Sequence, residues 1–400
     1  MIDIDDACAR VLANVKASDV VRISLREALG RTLAKPVCTD VDYPPFDRAV
    51  MDGYAVRATD VTDAPVTLRV VGQIAAGSDI EVTIGPGEAA QINTGAPIPP
   101  GADAVVRVEE TECDATGDAV EIRKSVPAGK FITPRAEYVR AGDSVLAPGT
   151  RLTPLAIGAA ATAGAHKVSV FRRPRVAILG TGNELVEIDR KPTGAQIRNS
   201  NQYLLETMVT AEGAEPVVLG TAHDDRDALR QRISLGATSD VLCITGGISM
   251  GAFDFVPEVL ETLGATFHVR KINIKPGRPT IFATLPDATP VFALPGNPAS
   301  AFVGFVLLVK PALAVIEGRR AAGPRFIEAR LDGTIGTVRD RRTFLPARAS
   351  RSPDGGWVAK PVSWHGSGDA FGMATADALI MRPPHAGAAG SGDTVMILPL

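Results

Sequence analysis

From Arg172 to Ile316 the chain alternates between two hydrophobic periods, and this limits its fold more than any other feature. Continuous apolar runs at residues 176–179, 217–219, 241–244 and 291–294 have strand length and end in glycine, threonine or proline. Helix-like segments separate them. Asn199-Ser200-Asn201 caps one, with Leu204, Leu205, Met208 and Val209 on its apolar side and Gly213 as a stop. Asp225 starts a second, residues 255–263 form a third, and a long helix runs to about Ile316. Strands that are apolar throughout are buried on both faces. The alternation therefore predicts a doubly wound, mostly parallel α/β sheet with helices on both sides.

The flanking segments read differently. The chain opens with an amphipathic helix carrying Ile4, Ala7, Val11, Leu12 and Val15, and a second short helix is expected over 25–33. Short β-rich pieces between glycine and proline turns follow, reading as a small β unit. Residues 145–155 resemble a strand, a Pro-Gly turn and the start of a helix, so 136–171 is expected to return beside the first helix. The last stretch has turns and no long helical period, which suits a β barrel. The expected organisation is a linking and dimerisation unit from 1–46 and 136–171, an inserted β-rich unit at 47–135, the α/β unit at 172–318 and a C-terminal β barrel at 319–400.

Composition narrows the function. A net charge of −3 offers no basic field for nucleic acid. Cys8, Cys38, Cys113 and Cys243 are scattered without a Cys-x-x-Cys, and the five histidines form no His-Glu-x-x-His. The start of the chain lacks a signal-peptide core. The longest apolar run, 299–309, is too short to cross a bilayer and stops at Lys310-Pro311. These features lead us to expect a cytoplasmic protein with no membrane or nucleic-acid partner.

In an open parallel sheet, ligands bind beyond the carboxyl ends of the strands. Gly180-Thr181-Gly182-Asn183-Glu184 follows the first run, and Gly220 through Asp224-Asp225 follows the second. Thr245-Gly246-Gly247-Ile248-Ser249-Met250-Gly251, then Asp254, follows the third. Leu185 stands where a dinucleotide fingerprint needs its third glycine, and no P-loop sequence exists. A glycine turn is commonly a plain connection. Gly246, Gly247 and Ser249 nonetheless belong to a run richer in glycine and hydroxyls than a turn requires, which suits phosphate. Glu184, Asp224 and Asp254 read singly as loop acids or helix caps, and together as a hard-cation site.

Two loops are distinctive. Ile274-Lys275-Pro276-Gly277-Arg278-Pro279-Thr280 and Leu294-Pro295-Gly296-Asn297-Pro298 place prolines and a glycine directly after strands. Such loops hold one shape and let backbone approach a ligand closely. Lys275 and Arg278, preceded by Arg270 and Lys271, make the first a site for an oxyanion. Met51-Asp52-Gly53-Tyr54-Ala55-Val56 and Asn93-Thr94-Gly95-Ala96-Pro97 read chemically as two β-turns.

Taken in order, these motifs resemble the molybdopterin molybdenumtransferase family, whose animal relative is gephyrin. The resemblance covers nearly the whole chain. It implies four domains, a homodimer with a site partly built by the opposite subunit, and the last step of molybdenum cofactor synthesis. There molybdate enters the dithiolene of adenylylated molybdopterin, with Mg2+-dependent release of AMP. It implies transient contact with molybdopterin adenylyltransferase and apo-molybdoenzymes. By the same resemblance Glu184, Asp224 and Asp254 are catalytic acids that hold Mg2+, and Asp52 and Thr94 are the β unit's catalytic contribution. Lys271, Lys275 and Arg278 are the basic residues, Pro295, Asn297 and Pro298 the second loop, and Arg342 and Ser367 face the oxyanion from the last domain. Ala49 stands near a serine frequent in the family, Tyr138 replaces an acid, and Arg278 replaces a lysine. A non-catalytic scaffold and the adenylyltransferase of the preceding step are the alternatives.

Overall fold

The computed structural model describes residues 1–248, 255–319 and 323–400. Its central sheet has six strands, in spatial order Glu215–Ala222, Arg175–Thr181, Val241–Thr245, Pro290–Leu294, Ile281–Thr284 and Thr266–Val269. The first four run parallel. The last two join antiparallel and form a hairpin-like edge. Every residue of Val241–Thr245 and Pro290–Leu294 is buried, which is why these strands read as unbroken apolar runs.

Helices cover both faces. On one face Leu205 and Val209 of Ser200–Ala211 join Phe282, Phe292 and the long C-terminal helix in a single core. On the other, Leu229 and Ile233 of Arg226–Gly236 pack with Val259 and Leu260 of Val256–Thr262. Asn199 and Asp225 cap their helices as expected, their side chains accepting from Gln202 N–H and Ala228 N–H.

The long helix continues past Lys310-Pro311 to Ile316. Pro311 removes a backbone donor, and the widened turn Phe305–Val309 just before it accommodates the loss. The run Pro298–Ile316 is long and apolar enough to cross a membrane, yet 83% of its most apolar 18-residue stretch is buried inside the protein. Its apolarity therefore serves the core of the α/β sheet.

Two expectations for the first 46 residues fail. The opening helix, Ile4–Ala13, does not pack beside residues 136–171. Its Ile4, Ala7 and Val11 belong to the α/β core with Phe305 and Leu313. Periodicity identifies a buried face but not its partner. The expected helix at 25–33 is only a 3-10 turn at Leu25–Glu27, and Leu33 bridges to Val170. The returning segment instead packs on this stretch: Val20–Ser24 pairs with Lys167–Phe171, and Val37–Cys38 pairs with Ser144–Leu146. Leu33, Leu152, Ala160 and Val170 form their shared core.

Between these paired strands lies a second six-stranded sheet, from Gly53–Val56 to Ala119–Ile122. Tyr54 and Val56 face one apolar cluster and Ala55 the other, so this sheet is also covered on both sides. Near the C-terminus five strands close into a barrel. Arg342–Arg351 pairs with both Trp357–Pro361 and Ala378–Arg382, and Ile327–Leu331 and Thr394–Pro399 complete the ring.

Candidate active site

Register alone brings the two Pro-Gly loops together. Ile281, which follows the first loop, pairs with Ala293, which precedes the second. Both loops therefore leave the sheet at the same end, the end where the parallel strands finish. Contact follows. A Cβ on Gly277 would lie 3.6 Å from Ser300 O, in the first turn of the helix that the second loop opens. The first loop is fixed from within, since Ile272 N–H donates to Arg278 O (3.0 Å) and the Thr280 hydroxyl to Gly277 O (2.7 Å). Pro276 and Gly277 are buried, while Lys275 and Arg278 are exposed and pair with no acid among the described residues. This is a rigid backbone presenting free positive charge.

The barrel reaches the same place. Ile274–Lys275 adds to Arg342–Arg351 as a short parallel strand, with Ile274 opposite Arg342 and Lys275 opposite Thr343. Arg342 thus stands beside the cationic loop. Its guanidinium is held by Asp3 (3.2 Å) and Asp5 (2.9 Å) of the opening helix. Arg270 is occupied by Glu261 (2.7 Å) and the Phe267 ring. Ser367 meets the second loop directly: Asn297 Nδ2 donates to its Oγ (3.1 Å), and Ala299 N–H to its carbonyl (3.1 Å).

The sheet order reverses between Arg175–Thr181 and Val241–Thr245, whose following helices lie on opposite faces or flank the reversal. The crevice at such a switch point is where ligands bind in open α/β sheets. Here its walls are Thr181 and Gly246. The Thr181 hydroxyl donates to Thr245 O (3.4 Å), and Gly246 N–H to Leu294 O (3.0 Å). Gly246 has φ +91°, and a Cβ there would sit 2.5 Å from Thr181 O. Only glycine fits, so the Thr245-Gly246-Gly247 run lies flat against the neighbouring strand end. Gly296 is the next layer, with Gly246 Cα 3.7 Å from its Cβ position.

The acids stand along this rim. Thr181 is opposite Ala222 in register, which puts Asn183 beside Asp224. Asn183 N–H donates to the Asp224 carboxylate (3.3 Å), Asp224 N–H donates to Asn183 Oδ1 (3.1 Å), and the His223 ring lies 3.2 Å from the same oxygen. The Glu184 carboxylate folds back over Gly182, where a Cβ would be 2.4 Å from Oε2. Ser249 and Asp254 lie outside the described residues. Among the described residues no group of three or more His, Cys, Asp or Glu side chains is close enough to hold a metal ion. Lys271 is exposed and follows the edge strand Thr266–Val269 at this end, with its carbonyl accepting from Ile2 N–H (3.2 Å).

Asp52 and Thr94 meet each other in the other sheet. Ala49 joins their two runs, donating to Ala96 O (2.9 Å) and accepting from Gly95 N–H (2.8 Å). Thr94 N–H donates to Asp52 Oδ1 (2.6 Å). That bond, with the Thr94 hydroxyl and the Asn93 side chain, holds the Asp52 carboxyl below its ordinary range. Both side chains are exposed. Among the described residues their hydrogen bonds stay within residues 47–135.

One position escaped the sequence reading. Asn201 reads as part of a helix cap, but its Nδ2 donates to Gly296 O (2.7 Å) and ties the second loop to the Ser200–Ala211 helix. Three polar residues in succession at a helix start exceed what capping needs, and that excess is the signal.

Comparison with known proteins agrees along the chain. A model described as the MoeA N-terminal region (domain I and II) matches residues 2–164. One described as a probable molybdopterin binding domain matches 177–315, and the MoeA C-terminal region (domain IV) matches 328–400. A molybdopterin molybdenumtransferase of Nostoc sp. is 37% identical over 96% of this chain and 89% of its own length. The Bacillus subtilis protein of that name is 34% identical over 99% and 94%. The solved structure of a molybdopterin biosynthesis MoeA protein from Pyrococcus horikoshii superposes with a TM-score of 0.84 at 32% identity, covering 100% of this chain and 99% of that one.

Proposed function

The chain belongs to the molybdopterin molybdenumtransferase family, and from that premise we propose that its reaction takes place at the carboxyl rim of the α/β sheet, between the two Pro-Gly loops. It is a transferase of molybdenum cofactor biosynthesis. Relatives carrying that name align over nearly its full length, which disfavours the scaffold and adenylyltransferase readings. The observation that carries this reading is the convergence of both loops on one rim, with Lys275 and Arg278 in no ion pair among the described residues.

In this reading molybdate is transferred to the dithiolene of adenylylated molybdopterin, and the adenylate is cleaved with release of AMP. Lys275 and Arg278, with Lys271, hold the molybdate dianion through charge-assisted hydrogen bonds. Arg342, braced by Asp3 and Asp5, adds positive potential from the barrel side. Gly246 and Gly247, with Ser249, let backbone N–H groups approach phosphate. Pro295, Asn297 and Pro298 shape the pterin-side wall, and Ser367 fixes Asn297. No nucleophilic side chain is required, since positioning and charge neutralisation supply the catalysis.

Glu184 and Asp224, with Asp254, would hold Mg2+. The donor set fits: both described acids present carboxylate oxygens at neighbouring strand ends, and Glu184 fills the space that Gly182 leaves open. A bound Mg2+ supplies Lewis-acid neutralisation of phosphate charge. The four free cysteines suit a cytoplasmic setting.

The function is tested by cofactor reconstitution without ATP. Purified protein given adenylylated molybdopterin, molybdate and Mg2+ is expected to yield cofactor that activates an apo-molybdoenzyme. An absolute need for ATP would instead indicate the adenylyl-transferring step and overturn the reading.

Asp52 and Thr94 enter the site, in this account, from the second subunit of a homodimer. At sub-saturating molybdate, where each alone is inactive, Asp52→Ala and Lys275→Ala/Arg278→Ala should then complement when their subunits are exchanged. Random mixing gives about half heterodimers with one intact site each, so activity should return to about a quarter of wild type. Mixed dimers without activity would place Asp52 and the loops on the same subunit's site or remove Asp52 from it.

A further inference from the structure

A second cationic feature lies at the junction between the paired N-terminal strands and the α/β sheet. Arg31, Arg151, Arg172 and Arg173 line one cleft of about 70 Å³, with Thr32 and Glu317. Arg172 is neutralised by a two-point ion pair with Asp240 (2.9 and 2.6 Å). Glu317 is engaged by Arg319 (2.9 Å). Arg31, Arg151 and Arg173 have no ion pair among the described residues, and Arg31 donates only to Phe171 O (2.6 Å). Three guanidiniums therefore share a small cleft whose lining acid, Glu317, is already held by Arg319.

We propose that this cleft binds a small tetrahedral oxyanion of the phosphate, sulfate or molybdate type, separate from the strand-end site. Guanidinium forks match such ions, since each oxygen can accept two N–H donors. Size supports the choice: the cleft is far smaller than the roughly 300–1,000 Å³ of pockets for larger organic ligands, so an adenylate or a pterin does not fit. Positive charge is concentrated in the cleft. Burial and then the neighbouring Arg173 charge push the Arg31 guanidinium below its ordinary range, with Glu317 opposing. Burial pushes the Glu317 carboxyl up, while Arg319, Arg151 and Arg31 oppose that shift. A bound dianion offsets the Arg173 charge that bears on Arg31.

The position gives the ion a consequence. The lining residues come from the Leu33-containing N-terminal unit, from the Phe171-to-Arg173 connection, and from Gly213 and Glu317 of the α/β unit. An anion held by Arg31, Arg151 and Arg173 cross-links these segments and stiffens the connection between them.

The test uses the full chain carrying Lys275→Ala/Arg278→Ala, so that the strand-end loops contribute no anion binding. Thermal unfolding and calorimetric titration are run with sodium phosphate, sulfate and molybdate, against sodium chloride of equal ionic strength. A saturable rise in Tm with the tetrahedral dianions, absent with chloride, is expected. Arg31→Gln and Arg151→Gln, added singly, should each weaken binding by about tenfold. Tighter binding of molybdate than of phosphate would identify the substrate oxyanion as the occupant, and equal binding a general cellular anion; either supports the site. A chloride response equal to the dianion response, or full dianion binding in folded Arg151→Gln protein, would overturn it. Arg151 is exposed, so its variant decides the matter if Arg31→Gln does not fold.

Discussion

Replacing Lys275 and Arg278 together with alanine is expected to raise the molybdate KM by at least about 100-fold, while binding of adenylylated molybdopterin changes little. Each charged contact to an oxyanion contributes about 1.5–3 kcal/mol, and the two act on the same small dianion. The loop itself should survive, because its shape is set by Pro276, Gly277 and the Thr280 hydroxyl rather than by the two cations. Steady-state kinetics with molybdate as the varied substrate checks this, with circular dichroism to confirm the fold. A loss confined to kcat, with molybdate KM unchanged, would mean that these side chains act in the transition state alone. No change in either constant would remove the loop from the site.

Gly246→Ala is expected to be the most damaging single substitution at the rim. The new methyl would meet Thr181 O at 2.5 Å and its hydroxyl at 2.9 Å, in a backbone conformation with φ +91°. Both neighbours are fixed by the sheet, so the loop must move. A stability loss of roughly 2–4 kcal/mol follows, at the upper end for one substitution, together with loss of turnover as the crevice between Thr181 and Gly246 deforms. Gly117→Ala provides the control. Gly117 has φ +81° but nothing within 4 Å of its Cβ position, so only backbone strain of about 1 kcal/mol is expected. Denaturant unfolding of the two variants separates the clash from the strain. Equal losses would show that the close approach to Thr181 carries no weight.

The α/β sheet was legible in the sequence for a physical reason. Strands such as Val241–Thr245, buried on both faces, must be apolar throughout, and their glycine-marked ends announce the rim. The two Pro-Gly loops were legible because proline and glycine restrict backbone locally. What depends on distant pairing was not. Ile274–Lys275 adds to a barrel strand some seventy residues on, and nothing in its own residues says so. Leu33 has the apolar spacing of a helix but takes Val170 as a bridge partner. The opening helix showed its buried face yet not that it packs on the α/β sheet, where Asp3 and Asp5 reach Arg342. Asn201 illustrates the same limit at one residue: capping is local and readable, whereas its hydrogen bond to Gly296 crosses to another loop.

The Asp52–Thr94 pair follows the same logic. Their local pairing is complete within one sheet, through Thr94 N–H and the bonds of Ala49. In the homodimer proposed above, each subunit's exposed Asp52–Thr94 pair would serve the other's rim.

AMP release is the measurement that tests the central claim most directly. Wild-type protein is mixed with adenylylated molybdopterin and Mg2+, with and without molybdate, and AMP is quantified together with metal-loaded cofactor. The account predicts one equivalent of AMP per cofactor formed, and loss of cofactor formation at sub-saturating molybdate in the Lys275→Ala/Arg278→Ala protein. Absence of AMP release by folded wild-type protein supplied with all three components would contradict it.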